Sequence, residues 1–237
     1  MKLITCFLTV LLFTGTTVYA ASFENKTESD QQPRMVTQQN SGFMPHLRIN
    51  GYAFYAFDDK VDSRYSSTEY FYGKIKGGFQ WGGGLEYMIA PYQGIELSYL
   101  RLDTDAPMTY YSGGDKYTIF DLATNYIMLG GNRYFPVGGK IEPYAGAQLG
   151  MAIFNVMNPE NGKSDSAVKF AWGLKAGLNI WASEKVGLKL QTGLISAVQG
   201  VGGGFYFGTG GSGASVNTYS TFYQFYIGGG LSFALSK

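Results

Sequence analysis

Chemistry in a protein chain needs titratable or nucleophilic side chains at workable spacing, and this chain is short of them. Its one histidine is His46 and its one cysteine is Cys6. Hydrolysis by a Ser–His pair needs an imidazole base beside a hydroxyl, and acid–base work near pH 7 falls mostly to His or to paired carboxylates. Any imidazole-based site would have to be built on His46. The acids gather in two groups between apolar runs, Asp58, Asp59 and Asp62, then Asp103, Asp105 and Asp115. That grouping reads as solvated loop charge, and no set of His, Cys, Asp and Glu has the spacing of metal ligands. The stretch "GTGGSG" (208–213) formally satisfies a dinucleotide fingerprint. The fingerprint works only between a strand and a helix start in a βαβ unit, and neither flanks it here. The expectation is a protein without catalytic residues, cofactor or metal.

The remaining polar side chains fall on one side of an alternation. In "YFYGKIKGGFQWGGGLEYMI" (70–89) the odd positions carry Phe71, Ile75, Phe79, Trp81, Leu85, Tyr87 and Ile89, while the even ones carry Lys74, Lys76, Gln80 and Glu86 among glycines. A period of two is the signature of a β-strand with unlike faces. The elements that must position any site are therefore strands.

Composition says what kind of strands. Only 15% of the 237 residues are charged, against about 25% in soluble domains, while aromatics reach 16% and glycines number 34. The net charge of +1 gives no field for nucleic acid. The chain opens "MKLITCFLTVLLFTGTTVYAAS", a basic start, an apolar run and the small-residue site Val18-Tyr19-Ala20. It predicts a secretory signal peptide over 1–20, removed together with Cys6, so that the mature chain carries no thiol. Residues 21–42 are polar and aperiodic and read as a periplasmic leader, with 43–237 forming one barrel domain. No later apolar run reaches the roughly 18 residues of a membrane-spanning helix.

Eight alternating segments follow: His46–Asp58, Phe71–Ile89, Gly94–Leu102, Tyr117–Phe135, Lys140–Asn155, Ala167–Ala182, Val186–Ala197 and Tyr219–Leu235. Short connections (90–93, 136–139, 183–185) alternate with long ones (59–70, 103–116, 156–166, 198–218). That is the plan of an antiparallel, up-and-down, eight-stranded transmembrane β-barrel with short periplasmic turns and long extracellular loops. The fourth segment is irregular: Phe120, Leu122, Tyr126 and Met128 are apolar at even positions, Ile127, Leu129 and Phe135 at odd ones. A bulge near Asn125–Leu129 would shift its face.

The apolar series cannot all fit inside, since an eight-stranded interior only just holds its own side chains. Turned outward it meets lipid, where closure of the sheet satisfies every backbone group. The lumen-lining residues are then Lys74, Lys76, Gln80, Glu86, Glu96, Gln148, Lys169, Lys175, Lys189, Gln191 and Gln224, with glycines leaving them room. Glu86 and Glu96 are placed to offset Lys189 or Lys76. Tyr87, Tyr92, Tyr134, Phe135, Trp181 and Phe233 would form the girdle at the turn end.

"GGGLEYMIAPYQGIELSYLRL" and "RYFPVGGKIEPYAGAQLGMA" resemble the hairpins of small eight-stranded outer-membrane proteins, the OmpA/OmpX/OmpW-like and opacity-type porin family, from about Leu47 onward. Such proteins often end on an aromatic residue, whereas this chain ends "SFALSK". The resemblance implies a Gram-negative outer-membrane barrel. The expected role is a structural or surface-interaction protein with a largely side-chain-filled lumen, monomeric and in contact with outer-membrane lipid and lipopolysaccharide. Phe205, Tyr206 and Phe207 are the loop residues suited to an extracellular partner. Two alternatives stay open: a narrow channel for small polar or hydrophobic solutes, and an outer-leaflet lipid-modifying enzyme.

Overall fold

The computed structural model describes residues 46–64, 70–111, 114–135, 137–198 and 222–235, all within one compact unit, Ser41–Lys237. The predicted signal peptide, the leader, Phe205–Phe207 and the glycine run 208–213 lie outside the described residues. The described chain forms β1 (His46–Ala56), β2 (Asp59–Arg64), β3 (Tyr70–Ile75), β4 (Gly78–Ala90), β5 (Gln93–Tyr111), β6 (Asp115–Tyr134), β7 (Ile141–Met157), β8 (Ser164–Trp181), β9 (Val186–Val198) and β10 (Phe222–Leu235).

Eight of these strands close an antiparallel ring in the order β1, β4, β5, β6, β7, β8, β9, β10, while the hairpin β2–β3 attaches to the far end of β5. Following one perpendicular row shows how the ring closes. His46 pairs with Met88, then the row passes through Gly94, Asn132, Gly146, Lys175, Gly193 and Tyr226 and returns to β1 at Ala56. The row comes back ten residues along the strand on which it began, and a stagger of that size in eight strands tilts them by roughly 40° to the axis. Glycine is required in the turn "PVGG", where Gly138 and Gly139 hold φ of 96° and 67°.

The outward positions carry an apolar band. Leu85, Leu97, Leu129, Leu149, Leu174, Leu190, Ile227 and Leu231 are all exposed on the outer face of the ring. Aromatics flank the band at both ends. Tyr87, Tyr92, Phe135 and Phe233 stand exposed at the short-turn end. Phe57 packs on Phe225, and Trp81 packs edge-on to Tyr99, toward the other end. Beyond Tyr99 the outer wall turns polar at the Arg101–Asp103 ion pair.

Four sequence expectations need correction. The segment 103–116 is not a long loop: β5 and β6 continue paired up to Tyr111 and Asp115, and 59–70 contributes β2 and β3. β6 keeps an unbroken register with β5 and β7 through Asn125–Leu129, so no bulge shifts its face. Its even positions from Thr118 to Tyr134 face inward, and Phe120, Leu122, Tyr126 and Met128 among them belong to an apolar part of the interior. Phe71–Ile89 is two strands, not one. Ile75 is buried at an odd position of β3 and Phe79 is exposed at an odd position of β4, because the break at Lys76–Gly77 reverses the phase. Finally, Tyr134 and Trp181 do not join the girdle; both point inward, Tyr134 to Glu86 and Trp181 to Glu142.

Candidate functional site

The inward positions sort into tiers along the barrel axis. Nearest the short turns, Arg48 lays its guanidinium 4.9 Å from the ring centres of both Tyr134 and Trp181. Its two terminal nitrogens donate to Glu142 at 3.2 and 3.4 Å. The Trp181 indole N–H donates to the same carboxylate at 2.8 Å, and Asn179 at 3.2 Å. A planar fork matched to a carboxylate between two rings is a site that lysine could not replace.

The second tier holds two carboxylates and two ammonium groups. Glu96 accepts from Lys175 at 2.5 Å and from Asn50 at 2.8 Å, and also from the Tyr52 hydroxyl. Glu86 accepts from Asn132 at 2.6 Å and from the Tyr134 hydroxyl at 2.6 and 2.7 Å. Asn132 also donates to Glu96 at 3.2 Å, joining the two acids. Lys189 lies 3.9 Å from Glu86 and 4.6 Å from the centre of the Tyr144 ring. Tyr144 donates to Gln191, which donates to Tyr226. All four charged groups are buried to within a few per cent. Burial of this depth is tolerated only where each charge has partners.

Farther from the turns the interior changes character. Phe54, Leu100, Leu102, Phe120, Leu122, Tyr126, Met128, Phe154 and Ile195 form one buried apolar cluster, with Phe54 stacked near Tyr52 and tilted 4.8 Å from Tyr226. The amide pair Gln80–Gln224 (3.2 Å) and Lys169 sit inward at this level.

Of the residues named from sequence, Gln80, Glu86, Glu96, Gln148, Lys169, Lys175, Lys189, Gln191 and Gln224 are buried on inward positions. Lys74 and Lys76 are not among them. Half exposed where β3 meets β4, they pair with Asp58 (2.7 Å) and Asp105 (2.9 Å). The Lys74 ammonium, with the Gly77 N–H, holds the Asp58 carboxyl below its usual range, and Asp105 raises Lys76. The pairings expected for the acids are also rearranged, since Lys175 and not Lys76 reaches Glu96. His46 stands at the start of β1, 3.4 Å from the Arg48 Nε–H it accepts. Sequence reasoning missed Arg48, Asn50, Tyr52, Asn132, Tyr134, Glu142, Tyr144, Asn179, Trp181 and Tyr226. The inward parity of their strands was the available signal: tyrosine and asparagine were not counted as lumen chemistry, Tyr134 and Trp181 were assigned to the girdle, and Arg48 and Glu142 were passed over although charged.

The family model of the outer membrane protein beta-barrel domain matches residues 9–197. No curated protein sequence matches the chain. Among solved structures, the fold is similar to Neisserial surface protein A (13% identity, 80% of this chain, 96% of that one, TM-score 0.51). Two further structures align at lower scores. One is OprG from Pseudomonas aeruginosa (13% identity, 81% and 96%, TM-score 0.49). The other is the outer membrane protease OmpT from Escherichia coli (8% identity, 81% and 96%, TM-score 0.44). At such identities the likeness is one of fold.

Proposed function

This chain belongs to the outer membrane protein beta-barrel family, and on that premise we propose that it is a closed barrel acting as a structural or surface-interaction protein of the bacterial outer membrane. It is exported behind a signal peptide cleaved after Ala20, and it works as a monomer among outer-membrane lipid and lipopolysaccharide. The single observation that carries the reading is the stacking of an apolar cluster on a charge-paired tier within one lumen. An ion crossing such a lumen would have to leave the charge-paired tier and pass a filled, largely apolar one, at a cost of several kcal/mol. A non-enzymatic role is favoured by the position of His46 at the short-turn mouth and by the use of Glu86, Glu96 and Glu142 as partners for fixed cations.

The surface presented to partners is the paired extension of β5 and β6 with the hairpin β2–β3, where Tyr72, Tyr117 and Ile119 are exposed. Phe205–Phe207 belong to the same proposal. The test is planar-bilayer conductance of the refolded mature chain, Ala21–Lys237, after a heat-dependent gel shift has established folding. Silence is the expected result. Discrete, salt-dependent steps would overturn the closed-lumen reading in favour of a narrow channel for small solutes.

A further inference from the structure

At the short-turn end the barrel opens into a cavity of about 620 Å³ lined by His46, Arg48, Lys140, Glu142, Trp181 and Lys185, among others. Its volume lies in the range of small-ligand sites. Its floor is fixed. Arg48 is almost fully buried and is held between two aromatic rings by Glu142, so its guanidinium loses no freedom on meeting a ligand. An arginine carries five N–H donors; among the described residues those of Arg48 make three hydrogen bonds, one to His46 and two to Glu142. Trp181 is fixed as well, its indole bonded to Glu142 and its ring so close to Gly187 that a Cβ there would touch it at 3.0 Å. Lys140 and Lys185 stand exposed at the rim.

We propose that this mouth binds a short peptide by its free C-terminal carboxylate, received by Arg48, Lys140 and Lys185. A peptide is favoured over phosphate because Glu142 and Glu184 line the same cavity. Three cations and two carboxylates make a lining of mixed sign, which complements a zwitterion, carboxylate toward the cations and ammonium toward the acids, better than it complements a dianion. The volume fits a peptide of two or three residues. The site faces away from the long-strand end, so it is separate from the surface role proposed above.

Trp181 reports directly on this cavity. The other two tryptophans, Trp81 and Trp172, occupy outward positions on β4 and β8, so replacing both by Phe leaves one indole, in the site. The full mature chain with W81F and W172F is titrated in detergent micelles with trialanine, trialanine amide and inorganic phosphate, with gel migration checking the fold. The expected result is saturable emission change with trialanine, and binding of the amide weaker by about ten-fold. Adding Lys140→Gln and Lys185→Gln, both exposed and with a 3.5 Å contact from Lys140 to the Ala182 carbonyl as their one side-chain hydrogen bond among the described residues, should weaken trialanine by a similar factor. The proposal is overturned by a flat titration, by equal affinity for the amide, or by phosphate binding more tightly than trialanine. Conductance through the barrel would refute the closed lumen and leave this result untouched.

Discussion

Glu86 and Glu96 stand directly opposite one another on β4 and β5, both pointing into the barrel, yet their carboxylates part along the axis. Each lies over a glycine of the facing strand: Glu96 over Gly84, Glu86 over Gly94, where an added Cβ would meet the carboxylate. Like charges directly across a strand pair are normally unfavourable. The glycines let these two separate, one toward Lys175 and the other toward Tyr134 and Lys189.

Gly84→Ala should therefore destabilise the barrel by about 1–3 kcal/mol, the usual range for overpacking. Gly51→Ala is the control. It faces outward with nothing within 4 Å of an added Cβ, and should be neutral or slightly stabilising. Urea unfolding followed by tryptophan emission and gel shift distinguishes the two; equal effects would show that the glycines are not space for glutamates.

Removing one member of a buried pair leaves the other charge stranded. Lys175→Met should cost about 3–5 kcal/mol, and adding Glu96→Gln should recover most of it. A double variant as unstable as the single one would mean that Lys175 acts through its methylenes rather than its charge.

Emptying the apolar tier tests where the lumen is sealed. Phe54→Ala with Phe154→Ala removes two rings from the cluster above the charged tier. Bilayer recordings should then show current steps absent from the parent chain, provided gel shift confirms a folded barrel. Silence from the double variant would place the seal in the charged tier instead.

Outside the membrane, Asp58 supplies a pH dependence. Its carboxyl titrates below the ordinary 3.8 because Lys74 and the Gly77 N–H bond to its charged form. A depressed folded value means the interaction is fully present above the unfolded value and is lost as pH falls through the folded one. NMR titration of the Asp58 carboxyl carbon should give a midpoint under 3.8 that rises in Lys74→Gln. An unchanged midpoint would mean that the ion pair does not form in solution.

The alternation of side chains alone determined that this chain is a ring of eight strands with its apolar face outward. A period of two is a local property, and lipid on one side with a narrow interior on the other leaves one consistent orientation. The same locality limited the reading. Extending the alternation of β4 through Lys76–Gly77 misplaced two lysines, because parity survives only while the strand does. In β6, apolar residues on both faces looked like a bulge, since a local pattern cannot say that part of the interior is itself largely apolar. Which charges meet was beyond it altogether. Lys175 and Glu96 are 79 positions apart and belong to strands that do not pair. They meet because the ten-residue stagger of the closed ring brings those two inward positions to one height, and a stagger is a property of all eight registers together.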